Sequence, residues 1–117
     1  MSSQPRKWKF RVRHIQEAIE KVLRYTDSLT AEAFRAQEQT LDAVIWNLVI
    51  IGEAVQHIPE TVVQAYPELP WPQMRGIRNR IVHAYDQIDY EIIWHVAQNE
   101  LRPLLPVLQR IMREVAE

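Results

Sequence analysis

From Phe10 to Tyr25 the apolar residues Val12, Ile15, Ala18, Ile19, Val22 and Leu23 recur three and four positions apart. That spacing puts them on one stripe of a helix. Asp27-Ser28 ends the pattern, and Thr30 is placed to cap a short helical turn, Ala31–Ala36, whose Phe34 tucks under the core. A second helix is expected from Thr40, as N-cap, to about His57, with Asp42 in its first turn where a carboxylate suits the helix dipole. Its apolar positions, including Leu41, Val44, Leu48, Ile51 and Val55, form a band too wide for a surface helix, so this element should be central. Gly52 in its middle costs about 1 kcal/mol relative to alanine. Close approach by another helix is the expected reason.

Pro59 ends that helix and opens a short piece, Glu60–Ala65. Tyr66-Pro67-Glu68-Leu69-Pro70-Trp71-Pro72 reads as a stiff connector that delivers Trp71 as an anchor. Pro72 fits the first turn of a third helix, in which Met74, Ile77 and Ile81 keep helical spacing through residues 78–85. Asp86–Asp89 is a turn, with Asp89 capping a last helix from about Tyr90 to Val115. Pro103 and Pro106 should kink it. Glycine occurs only twice and strand-type alternation is absent. The pattern predicts an all-α chain: a four-helix up-and-down bundle with short accessory helices, forming one domain over residues 1–117.

Composition narrows the chemistry. There is no cysteine, which excludes disulfides, thiolate nucleophiles and thiolate metal sites. The best membrane candidate, Ala43–Val49, is far too short to span a bilayer. The basic N-terminus is followed by no apolar run of the kind a signal peptide needs. A cytoplasmic protein with no membrane association is expected. The net charge of −1 hides an asymmetry: residues 1–14 carry five Lys/Arg and no carboxylate, while the rest sets nine against fifteen Asp/Glu. Residues 1–9 read as a flexible basic arm, and Arg75, Arg78 and Arg80 form the other positive cluster, as a phosphate-binding surface would need.

That second cluster belongs to the densest run of capable side chains, Arg78-Asn79-Arg80-Ile81-Val82-His83-Ala84-Tyr85. An Arg/His pair without a neighbouring carboxylate cluster suits phosphodiester chemistry, where a proton moves and an oxyanion needs positive charge. On one continuous helix His83 would lie roughly 140° around from Arg78, at about 100° per residue. The two would then meet on one atom if Arg78 bent its long side chain round the helix or if a second copy completed the site across a two-fold axis, and the dimer is the preferred reading. Asp86, Asp89 and Glu91 could hint at a metal, but capping accounts for Asp89 and Glu91 more simply. Trp8, Trp46, Trp71 and Trp94 read as core, and His14, His57 and His95 as surface or boundary residues. On chemistry alone, the favoured reading is a helix-end histidine for His83 and a packing residue for Tyr85.

Arg78-x4-His83-x-Tyr85, preceded by Trp71 and Met74-Arg75-Gly76-Ile77, resembles the HepT toxins of the HEPN superfamily. The resemblance extends to Asp42-Ala43-Val44, Ile50-Ile51-Gly52-Glu53-Ala54, Tyr66-Pro67 and Asp89, from about residue 12 to 108. Trp46 departs from it, since many relatives carry a basic residue there. The resemblance implies a metal-independent ribonuclease without cofactor, acting as a homodimeric toxin on RNA, with tRNA the expected target. It implies catalytic roles for Arg78 and His83, with Asn79 orienting the phosphate or the imidazole and Arg75 and Arg80 as surface cations toward RNA. It also implies a partner, a minimal nucleotidyltransferase antitoxin of the MntA type that AMPylates Tyr85. The alternative is a catalytically idle HEPN module that only binds such a nucleotidyltransferase; Arg78, Asn79 and His83 together favour the enzyme.

Overall fold

The structure, a computed structural model, describes residues 8–115. Its helices are α1 (Lys9–Thr26), α2 (Ala31–Ala36), α3 (Glu38–Val55), α4 (Glu60–Ala65), α5 (Trp71–Arg75), α6 (Ile77–Ile81), α7 (Tyr90–His95) and α8 (Leu105–Glu114). The architecture is all-α, as the periodicity predicts, apart from a small hairpin of β1 (Val82–Ala84) and β2 (Gln87–Ile88). The N-terminal arm expected to be flexible lies outside the described residues up to position 7. Lys9 already belongs to α1, where it is buried and its Nζ donates to the carbonyl of Val115.

α1 and α3 pack along each other, α8 lies on α1, and α5 and α6 lie on α3. Ile15, Ile19, Leu48, Ile51, Ile81, Ile93 and Leu108 are fully buried between them. Local chemistry closes the elements much as expected. The Thr30 hydroxyl accepts from the Ala33 N–H at 3.0 Å and caps α2, whose Phe34 is buried against the Trp94 ring. Trp71 is buried and its indole N–H donates to the carbonyl of Tyr66 at 2.9 Å, which fixes where α5 begins. The α5–α6 junction crosses α3 at Gly52. A Cβ there would meet the carbonyls of Met74 and Arg75 and the Ile77 side chain, each at 3.5 Å.

Four details differ from the expectation. Helix α3 starts at Glu38 rather than after Thr40, and Gln37 is its N-cap; Thr40 donates its hydroxyl to the Gln37 side chain at 3.1 Å instead of capping. The third helix is broken at Gly76 (φ −96°, ψ 12°) and ends at Ile81. Val82 turns extended (φ −124°, ψ 106°), so His83 and Tyr85 are not helical. The carbonyl of Ile81, which a longer helix would pair with the N–H of Tyr85, accepts instead from the N–H of Asp89 at 2.8 Å. The last helix is interrupted by a π turn at Val96–Glu100 and a 3-10 turn at Arg102–Leu104, where Pro103 offers no N–H to an α ladder. Finally, Trp46 is 64% exposed and takes no part in the core. Its neighbours Val44, Asn47 and Leu48 occupy the buried arc of α3, which leaves position 46 facing outward.

Candidate active site

Arg78 and Asn79 are exposed on α6, and Arg75 is exposed at the end of α5. Together with Val49, Gly52 and Glu53 of α3 and its C-cap Gln56 they line a groove of about 100 Å³. The Arg78 guanidinium donates to the Asn79 side-chain oxygen at 3.5 Å. Neither Arg75 nor Arg78 is in an ion pair among the described residues. Their charge is therefore available to an anion.

Arg80 behaves differently from the free surface cation expected of it. It is half-buried and holds Glu100 with two parallel hydrogen bonds, at 2.9 and 3.1 Å. This pair ties α6 to the π turn, and His95 adds an imidazole 3.4 Å from the same carboxylate. The hydrogen bond to Arg80 holds the Glu100 carboxyl below its ordinary range, and the reciprocal bond raises Arg80. A depressed carboxylate stabilises the fold above its unfolded titration range, and that contribution fades as pH falls through the lowered value. Both side chains are about one-third exposed, so the contribution is at most about 1 kcal/mol. Glu100→Gln should lose that amount at neutral pH, and its gap to wild type in urea unfolding should narrow as pH falls below the ordinary carboxylate range.

His83 sits on β1, 52% exposed, with its Nε2 3.5 Å from one oxygen of Asp89. The other Asp89 oxygen accepts from the N–H of Ile92 at 3.1 Å and caps α7, as the sequence predicts. Tyr85 is at the tip of the hairpin, 94% exposed. The groove that Arg78 lines does not include His83 of the same chain. The hairpin replaces the angular separation expected on one helix: His83 is displaced from α6 by a change of backbone, and not by rotation around a helix axis.

Two contacts lay beyond reasoning from the sequence. The Arg80–Glu100 pair joins residues twenty positions apart, a separation with no helical meaning. Asp89 was legible as a cap but not as a neighbour of His83, because the hairpin that brings them together has strands of only three and two residues.

Comparison with known proteins places the chain in a family. Residues 15–111 match the family described as Ribonuclease HepT-like. A Methanocaldococcus jannaschii protein named as a candidate RNase is 33% identical over 101 residues, covering 86% of this chain and 84% of that protein. A candidate ribonuclease HepT of Thermococcus cleftensis is 32% identical over 99 residues, covering 85% of this chain and 90% of its own length. A second M. jannaschii candidate RNase is 28% identical over 101 residues, with 86% and 84% covered. No solved structure matches the chain at a comparable level. On the breadth of these matches, the chain belongs to the HepT-like ribonuclease family.

Proposed function

We propose that the protein is a metal-independent endoribonuclease that uses the RNA 2′-hydroxyl as nucleophile, with Arg78 and His83 as its catalytic residues. The observation that carries this reading is an unpaired Arg78 with Asn79 on a groove, followed on the next strand by a half-exposed His83. Arg78 grips the scissile phosphate bidentately and stabilises the negative charge that builds on its equatorial oxygens. Asn79 steadies the guanidinium or the phosphate, and Arg75 contacts a neighbouring phosphate. His83 exchanges the proton: as the O2′–P bond forms and the P–O5′ bond breaks, the hydroxyl proton passes to the imidazole. The 5′-oxygen takes a proton from water and the imidazolium gives its proton to the hydroxide so formed, leaving a cyclic phosphate, a 5′-hydroxyl and a neutral His83.

The active species is a homodimer. Trp46, Val49 and Glu53 fall on one edge of α3, at offsets of three, four and seven residues. The exposed indole therefore borders the groove that Arg78 lines, and a second copy laid there would cover it and could bring its own His83 to that groove. The resemblance to HepT toxins extends the reading to a cytoplasmic toxin–antitoxin system with tRNA as substrate. Among the described residues no helix is long and apolar enough to cross a membrane.

Tyr85 is the off-switch. Its hydroxyl, carried on a 94% exposed side chain, attacks the α-phosphorus of ATP held by the nucleotidyltransferase antitoxin, releasing pyrophosphate and leaving adenylate on the tyrosine. A bulky anion two residues from His83 then blocks the cleft and competes for Arg78. Expression without the antitoxin is expected to arrest growth and cleave RNA. Co-expression should add one adenylate to Tyr85, read by mass spectrometry of the peptide, and Tyr85→Phe should remain toxic beside the antitoxin. An unmodified tyrosine in neutralised cells would overturn the switch. A wild type that is harmless and cleaves no RNA would leave an idle binding module in place of the enzyme.

A further inference from the structure

Asp89 is fixed at three points. Its N–H donates to the carbonyl of Ile81 at the end of α6, at 2.8 Å. One carboxylate oxygen accepts from the N–H of Ile92 and caps α7, at 3.1 Å. The other oxygen lies 3.5 Å from Nε2 of His83. A cap needs only one oxygen. The second is therefore presented toward the imidazole by a residue already locked to the helix that carries Arg78 and to the helix that follows the hairpin. The spacing is a few tenths of an ångström beyond an ordinary N–H···O bond, the looseness common at catalytic hydrogen bonds before substrate arrives.

We propose that Asp89 is a positioning residue for His83, holding the proton on Nε2 so that Nδ1 is the nitrogen that exchanges a proton with RNA. This rests on the assignment of His83 as the proton carrier. A neutral imidazole has one N–H and one lone pair, and an ionised carboxylate only accepts. Facing Nε2 with a carboxylate oxygen selects the Nε2–H tautomer, and the lone pair is then on Nδ1. When the 2′-hydroxyl proton arrives at Nδ1, the imidazolium has its counter-charge already in place. The hairpin thus does more than reverse the chain. It brings the capping carboxylate of α7 back beside the histidine of β1.

Asparagine separates this role from the structural one. It caps a helix as well as aspartate does, so Asp89→Asn keeps α7. Its second side-chain atom is an N–H donor, however, which asks Nε2 to accept and so favours the opposite tautomer. In a Ser-His-Asp site the same exchange lowers turnover about 10⁴-fold. For this half-exposed pair a fall in kcat of about 100-fold is expected, with KM within about twofold and an unchanged melting temperature. Nitrogen-15 shifts of His83 at mildly alkaline pH should report Nε2–H in the wild type and Nδ1–H in Asp89→Asn. Asp89→Ser, also a sound cap but without a charge, should lose kcat too. Wild-type kcat in Asp89→Asn, or one tautomer in both proteins, would overturn the proposal. If the wild type proves not to cleave RNA, the nuclease reading fails by itself, and the nitrogen shifts still decide whether Asp89 sets the tautomer.

Discussion

His83→Ala is expected to lower kcat for RNA cleavage by about 10³-fold or more while the protein stays folded. General acid–base catalysis by a positioned side chain contributes about 10²- to 10⁴-fold. The ring is half-exposed on β1 and fills no core space, so its removal leaves no cavity. Arg78→Ala should cost about 10²- to 10³-fold, because an unpaired guanidinium is lost from the place where charge develops. Lysine at position 78 should restore little of this, since it cannot present the same planar fork. The two dead variants also test the dimer. If each site takes Arg78 from one protomer and His83 from its partner, mixed dimers carry one intact site. An equimolar, re-equilibrated mixture should then recover about one-quarter of wild-type activity. A mixture that stays dead, with exchange verified by mass, would confine each site to one chain.

Trp71→Ala is the largest stability effect expected. The indole is only 3% exposed, and truncating a buried tryptophan costs about 3–5 kcal/mol. Its N–H also donates to the Tyr66 carbonyl, which would keep only the longer bond from the N–H of Leu69, at 3.2 Å. For a chain of this length such a loss lowers the melting temperature by more than about 10 °C. Because Trp71 is the first residue of α5, its loss also frees the segment that carries Arg75 and Arg78 against α3. Trp71→Phe should retain most of the burial and lose mainly the hydrogen bond, about 1 kcal/mol. Thermal unfolding of both variants checks this. A shift of less than about 3 °C in Trp71→Ala would show that the connector does not depend on this anchor.

Much of the fold is written in short-range signals. The stripe from Val12 to Val22 on α1, the caps Thr30 and Asp89, the stops at Asp27 and Pro59, and the anchor Trp71 each act over a few residues, and each does in the structure what its chemistry predicts. Gly52 also fits its expected role, with the α5–α6 junction at contact distance. What was not legible depends on distant partners. The spacing of Met74, Ile77 and Ile81 continues smoothly across Gly76 and gives no sign of the break. The end of α6 is set by a hydrogen bond from Asp89, eight positions on, and by a hairpin too short to show alternation. Trp46 was read as core because tryptophan usually is, yet it lies on the exposed edge of α3. The same limit governs the site. Arg78, Asn79 and His83 stand out by residue type and spacing, whereas the carboxylates that hold Arg80 and face His83 do not.

The position of His83 on a hairpin also changes what the site asks of RNA. A helix would have fixed the imidazole relative to Arg78 by backbone geometry alone. The hairpin fixes it through Asp89 and the pairing of Val82 with Ile88, close to the tip that presents Tyr85. On the proposed reading, catalysis and modification fall on one small element, with His83 on β1 and Tyr85 at its tip.

The most direct test is the chemistry of the cut ends. Purified protein, free of antitoxin and in excess chelator, should cleave RNA to a 2′,3′-cyclic phosphate and a 5′-hydroxyl, and should leave the strand intact when the scissile nucleotide is 2′-deoxy. Cleavage at the deoxy position, 3′-hydroxyl and 5′-phosphate ends, or activity that disappears with chelator would contradict the account.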